Sequence, residues 1–122
     1  MYKINGVFGE IKPEELGQTL THEHITCADW SMRMNFGSAY YEENKLVDLA
    51  VEHFKKLKQY GICTVVDGTP INLGRDIGLL RQVAERSGLN IIASSGFYYM
   101  EEPWLAAKTV GQIYALLDNE CA

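Results

Sequence analysis

An α/β domain is predicted by the sequence, with parallel strands and helices packed on their outside. Three observations carry the prediction. Strand, loop and helix patterns recur three times along 122 residues. The middle strand, "ICTVVDGT", is a continuous β-branched run of the kind buried on both faces of a parallel sheet. Two amphipathic segments each stop at a glycine, Gly61 and Gly88. With 47% hydrophobic and 22% charged residues, the chain has enough apolar side chains for a core.

The elements follow in order. "MYKINGVFGEI" sets Asn5-Gly6 and Gly9 between short apolar stretches, which predicts a small hairpin ahead of the main fold. "QTLTHEH", after Gly17, is a short strand. Residues 25–44 hold Trp30, Met32, Met34, Phe36, Tyr40 and Tyr41 around Gly37 and are expected to form a long loop. Its aromatics either line a pocket or anchor the loop, with anchoring favoured. From Asn44, the residues Leu46, Leu49, Ala50, His53, Phe54 and Leu57 recur at three- and four-residue steps and predict a helix up to Gly61. "PINLG" is a loop, and "RDIGLLRQVAERSG" a second helix with Ile77, Leu80, Val83 and Ala84 on its inner face. "NIIASSGFYY" is a third strand and a glycine-bearing loop. "PWLAAKTVGQIYALLDNECA" opens with Pro103 in a first-turn position and is expected to be helical throughout. No linker, repeat or low-complexity tract interrupts the pattern, so residues 1–122 are expected to form a single domain.

The net charge of −5 and pI near 5.1 argue against a nucleic-acid groove or an anionic-membrane surface as partner. No apolar run approaches the roughly 20 residues of a membrane span, and no signal-peptide pattern opens the chain. Cys27, Cys63 and Cys121 are scattered, form no CxxC pair and fit a reducing, cytoplasmic setting in which they are inert.

The candidate chemistry sits in "LTHEHIT". On a strand, His22 and His24 point to one side and Glu23 to the other, with roughly 7 Å between the two residues along the backbone. In α/β folds ligands bind beyond the carboxyl ends of the strands. That rim gathers His22 and His24 from the first strand, Asp67 and Thr69 from the second, and Ser95, Gly96 and Tyr98 from the third. Neutral imidazole is a good zinc ligand, but a catalytic zinc takes three protein ligands, so two histidines form an incomplete site. The plainer alternative is a pair of core histidines bonded to backbone. Glu23 is expected to make a structural hydrogen bond. Asp67 is either an acceptor behind the histidines or an ordinary turn residue. Arg75 and Asp76, opening a helix, are expected to hold the fold through a salt bridge. His53 is a helix-face residue with no role.

"GQTLTHEHI", "VVDGTPINLGRDIGLLRQVAERSGLNII" and "SSGFYY" together resemble the amino-terminal part of the phosphotriesterase family, in the amidohydrolase superfamily, over nearly the whole chain. The resemblance implies the amino-terminal part of a TIM (β/α)8 barrel, about three βα units plus the leading hairpin. It also implies a metal-dependent hydrolase with two divalent ions at the carboxyl rim, zinc by expectation, with manganese or cobalt as alternatives. A hydroxide between them would attack a small-molecule lactone, carboxylic ester or phosphoester. Only His22 and His24 carry over as metal ligands. Tyr98 matches the tyrosine of the "GxY" turn and is the candidate substrate contact.

A whole barrel needs about 250 residues, and the lysine, later histidines and aspartate that complete the family's site have no counterpart here. The expectation is therefore a front portion of a longer protein, inactive alone, whose two unpaired sheet edges invite association, a homodimer among the outcomes. The rival is a non-catalytic α/β interaction module. A dinucleotide-binding domain is poorly supported, because no GxGxxG follows any strand.

Overall fold

In the computed structural model, which describes residues 3–99 and 102–121, the predicted repeat is present. A hairpin of β1 (Ile4–Gly6) and β2 (Gly9–Ile11) leads, its antiparallel register pairing Ile4 with Ile11 and Gly6 with Gly9. Then come β3 (Gln18–Glu23), α1 (Trp30–Phe36), α2 (Glu43–Gln59), β4 (Ile62–Asp67), α3 (Ile77–Ser87), β5 (Asn90–Ala93) and α4 (Val110–Cys121). The three longer-range strands form one parallel sheet in the order β3-β4-β5. A parallel pair needs a crossover, and α2 and α3 supply the two. The hairpin is tied to the sheet by the Val7 N–H, which donates to the Ile91 carbonyl at 2.9 Å.

The core lies between the sheet and the α2–α3 pair. Val47, Val51 and Phe54 of α2 meet Ile62 and Val65 of β4, Leu79, Leu80, Val83 and Ala84 of α3, and Leu89 and Ile91. The apolar patterns read from the sequence thus differ slightly from the buried faces. In α2 the buried residues are Val47, Val51 and Phe54, whereas Leu49 is 53% exposed. In α3 Leu79 is buried and Ile77 is 40% exposed, because Ile77 is the first helical residue after the Asp76 cap and lies off the sheet. Strand β4 is buried on both faces except at Cys63, which is exposed, and Val66, which is half-buried.

Two further expectations are corrected. Residues 25–44 are not a plain loop: Asp29 accepts the Met32 N–H at 3.0 Å and starts α1, and a 3-10 turn follows over Gly37–Ala39. The anchoring there falls mainly to Arg33, which pairs with Glu43 at 2.7 Å and lies 4.7 Å from the Tyr41 ring centre, while Met34 and Phe36 face solvent. The last segment is not one helix from Pro103. Leu105–Ala107 is a 3-10 turn, Lys108 is extended, and the chain restarts at Thr109. There the Gln112 N–H donates to Thr109 Oγ1 at 3.3 Å and the Thr109 N–H to Gln112 Oε1 at 2.9 Å, a reciprocal cap that overrides the proline signal. "PINLG" also contains a turn of 3-10 helix, Ile71–Leu73.

The salt bridge expected near Arg75 and Asp76 forms with another partner. Asp76 caps α3 by accepting the Leu79 N–H at 3.0 Å, and Arg75 instead pairs with Glu120 of α4. Arg75 also donates to the Ser94 carbonyl at 2.7 Å, and Glu120 accepts from the Ser95 hydroxyl at 2.8 Å. Burial alone would raise the Glu120 carboxyl, but hydrogen bonds from Arg75, Ser95 and the Gly96 N–H, with the Arg75 charge, hold it below its ordinary value. A depressed carboxylate contributes stability that is fully present above the unfolded pKa of 4.5 and is lost as pH falls through the folded value. Glu120→Gln is therefore expected to destabilise the chain at neutral pH, with a penalty that shrinks as the pH drops below 4.5. Urea melts of both proteins across that range check it, and a penalty independent of pH would contradict it.

Candidate metal centre

The carboxyl ends of β3 and β4 meet in one knot of short contacts. Strand β3 ends at Glu23, one residue before His24, so the pair straddles the strand end. The β3–β4 register is irregular there: Leu20 pairs with Val65 and Glu23 with Asp67, so β3 carries one residue more than its partner. Such a bulge re-aims side chains, and this one spans Thr21 and His22 and ends just ahead of His24. Both rings stand exposed at the rim, with centroids 5.1 Å apart, planes at 73°, and Nε2 atoms only 3.2 Å apart.

Asp67 holds this geometry from beneath. The side chain is 1% exposed. Its Oδ2 accepts the Ile25 N–H at 2.9 Å, immediately after His24, and its Oδ1 accepts the Thr69 N–H at 2.8 Å. One carboxylate thus fixes the exits of both strands. Glu23 contributes its backbone carbonyl, which accepts the Gly68 N–H at 2.8 Å, while its side chain is exposed. Thr69 then reaches across: its Oγ1 lies 2.9 Å from His24 Nδ1 and 3.2 Å from the Thr26 carbonyl. Gly74 (φ +90°) lets the turn after β4 pass against residues that follow β3, since a Cβ there would run into the Ala28 backbone.

The chemistry of this donor set fits a divalent cation. Two imidazole nitrogens on one tetrahedral ion at about 2.0–2.1 Å stand about 3.3–3.4 Å apart, and the two Nε2 atoms here are 3.2 Å apart. His24 has the partner on its other nitrogen that metal-binding histidines characteristically carry. Gly68 leaves the approach clear, for a Cβ on it would come 3.3 Å from His22 Nε2 and 3.5 Å from His24 Cε1. Among the described residues no group of three or more His, Cys, Asp or Glu is placed to hold a metal, so His22 and His24 form a pair of candidate donors without a third. Beside them, partial desolvation, then the Asp67 charge, push the Cys27 thiol up, with its hydrogen bond to Thr69 offsetting part of the effect.

The third strand joins the rim through backbone contacts. The Ile71 N–H donates to the Gly96 carbonyl at 3.0 Å, and the Tyr98 N–H to Asn72 Oδ1 at 2.5 Å. The Tyr98 ring stacks edge-on to Tyr99 at 4.6 Å and is 43% exposed. Among the described residues, no hydrogen bond or ring contact brings it to His22 or His24. His53 is exposed on α2. A cavity of about 710 Å³ opens elsewhere, beside β5, bounded by Val7, Ile71, Arg75, Phe97, Trp104 and Leu116. Neither histidine lines it, so its size says nothing about the histidine pair. The part that motif reading left without a role is Thr69. Its only signal is a hydroxyl two residues past the buried aspartate in "DGT". No helix among the described residues is long and apolar enough to cross a membrane.

Comparison with known proteins identifies a family. The sequence model of the phosphotriesterase family matches residues 2–116. A phosphotriesterase homology protein of Mycobacterium tuberculosis is 36% identical over 105 residues, covering 85% of this chain and 32% of that protein. An aryldialkylphosphatase of Saccharolobus solfataricus is 34% identical over 77% of this chain and 30% of its own length. An N-acetyltaurine hydrolase of Xenopus tropicalis is 30% identical over 97% of this chain and 42% of its own length. The chain thus spans about a third of the length of the curated relatives it matches.

Proposed function

The chain belongs to the phosphotriesterase family, and from that premise we propose that it supplies the first two metal ligands of a hydrolase built on a (β/α)8 barrel. The observation that carries the proposal is the 3.2 Å approach of His22 Nε2 to His24 Nε2 above the Asp67 clamp. His22 and His24 would hold a divalent ion, zinc first and manganese or cobalt next, in a centre of two ions completed by residues outside the described set. When bound, such ions supply Lewis acidity, which lowers the pKa of water and draws charge from an electrophile's oxygen.

The chain's own residues do the rest of what is proposed here. Asp67 keeps the two strand ends in register, Thr69 orients His24, and Gly68 leaves room above the rings. Tyr98, on the loop after β5, is proposed to meet the substrate. The substrate is a small molecule with an acyl or phosphoryl centre, a lactone, carboxylic ester, amide or phosphoester; the relatives' names, aryldialkylphosphatase and N-acetyltaurine hydrolase, support that breadth. Exposed free thiols at Cys27 and Cys63 support a reducing, cytoplasmic setting.

The test is hydrolysis by the protein at its complete natural length, stripped of metal and reloaded with zinc or manganese. The panel holds lactones of several chain lengths, aryl esters, N-acetyltaurine and an aryl dialkyl phosphate. Turnover of at least one substrate that disappears on stripping and returns on reloading is expected. Absence of turnover across the panel with metal bound would leave the interaction-module alternative.

A further inference from the structure

We infer that Thr69 is a positioning residue that presets His24 for a cation, whereas His22 has to exchange its ring proton before it can ligate. The inference deepens the metal reading above and rests on it. It starts from counting protons among four atoms: His22 Nε2, His24 Nε2, His24 Nδ1 and Thr69 Oγ1.

The Thr69 hydroxyl has one proton and lies 3.2 Å from the Thr26 carbonyl and 2.9 Å from His24 Nδ1, with the Cys27 thiol, itself able to donate to the hydroxyl oxygen, as a third neighbour. A carbonyl can only accept. If the hydroxyl donates to Thr26, its lone pairs receive the His24 Nδ1–H, and His24 Nε2 is left as a bare acceptor. His22 then completes the chain by donating its Nε2–H across the 3.2 Å gap. All three contacts are hydrogen bonds in that arrangement. If the hydroxyl turned to His24 Nδ1 instead, the Thr26 carbonyl would face an oxygen lone pair with no proton between them, and one bond would be lost. The first arrangement wins by a hydrogen bond and by the repulsion it avoids.

The consequence is an asymmetric pair. His24 already presents its Nε2 lone pair to the site and keeps its proton on Nδ1 when an ion arrives. His22 has no such anchor among the described residues and holds its proton on the nitrogen that has to ligate. Loading the site therefore removes a proton from His22 Nε2 to water and returns one from water to Nδ1, with no net release. His24 is the preorganised ligand and His22 the adaptable one.

Long-range proton–nitrogen correlation spectra of the ¹⁵N-labelled, metal-free chain test this above the histidine titration range, at about pH 8. His24 is expected as the Nδ1–H tautomer and His22 as Nε2–H. Added zinc should convert His22 to Nδ1–H and leave His24 unchanged. Thr69→Val should leave His24 a mixture of tautomers and weaken zinc binding about 10- to 100-fold, measured by competition with a chelator, while Thr69→Ser restores both. An Nε2–H tautomer at His24 in the native chain would overturn the inference, as would a folded Thr69→Val chain with native tautomer and native affinity. Should Thr69→Val fail to fold, the native spectrum and Thr69→Ser still decide. A native chain that shows the expected tautomers yet binds no zinc would instead sink the metal reading.

Discussion

Asp67→Ala is expected to destabilise the chain by about 3–5 kcal/mol, a large share of the roughly 5–15 kcal/mol of stability a domain commonly has. The carboxylate is 1% exposed and accepts two backbone N–H groups, from Ile25 at 2.9 Å and Thr69 at 2.8 Å. Truncation leaves both donors without their acceptor in a region where little water reaches them, at about 1–3 kcal/mol each, more when the lost acceptor is charged. The damage should be local in origin. The Val65 and Ile91 core is untouched by the substitution, but the exits of β3 and β4 lose their common tether, and the spacing of the two histidines depends on it. Urea denaturation of the variant measures the loss. A penalty under about 1 kcal/mol would mean that water replaces the carboxylate, and that the rim is looser than its hydrogen bonds imply. Asp67→Asn is expected to fall between the two, since its amide oxygen accepts one donor while its NH₂ meets the other donor unfavourably.

On the proposed metal reading, His22→Ala and His24→Ala are each expected to weaken zinc binding by at least about 100-fold, roughly 3 kcal/mol. Only two ligands come from the described residues, so removing either leaves a single imidazole, which holds zinc no better than an exposed histidine anywhere on a surface. The third histidine supplies the control. His53 is exposed on α2 and takes no part in the rim, so His53→Ala should bind zinc as the native chain does. Chelator competition on metal-stripped protein separates the three variants. Equal losses at all three positions would show adventitious binding by surface histidines. No loss at His22 or His24 would end the reading of this pair as ligands.

Much of the architecture was legible because its signals are local. The hairpin is marked by Asn5-Gly6 and Gly9, which flank its Val7-Phe8 turn, the stops of α2 and α3 by Gly61 and Gly88, and β4 by a run rich in β-branched residues. Where local signals competed, the reading slipped. Pro103 suggests a helix start, yet the Thr109–Gln112 reciprocal cap sets it seven residues later, at Val110. Asp29 caps α1 from within an aromatic-rich stretch that carries no clear helical periodicity. In α2 the periodic pattern selects Leu49, whereas Val47, Val51 and Phe54 are the buried residues.

By itself the sequence determined that two imidazoles stand two residues apart at the end of the first parallel strand, in a chain whose motifs are those of the phosphotriesterase family. Only the tertiary structure decided what those imidazoles face. His24 and Thr69 are 45 residues apart in the chain and 2.9 Å apart in space, and Ile25 and Asp67 are separated by 42 residues. Periodicity and turn chemistry act over a few residues. The partner of a ring nitrogen is set instead by which strands pair, in what register, and where an extra residue bends one of them.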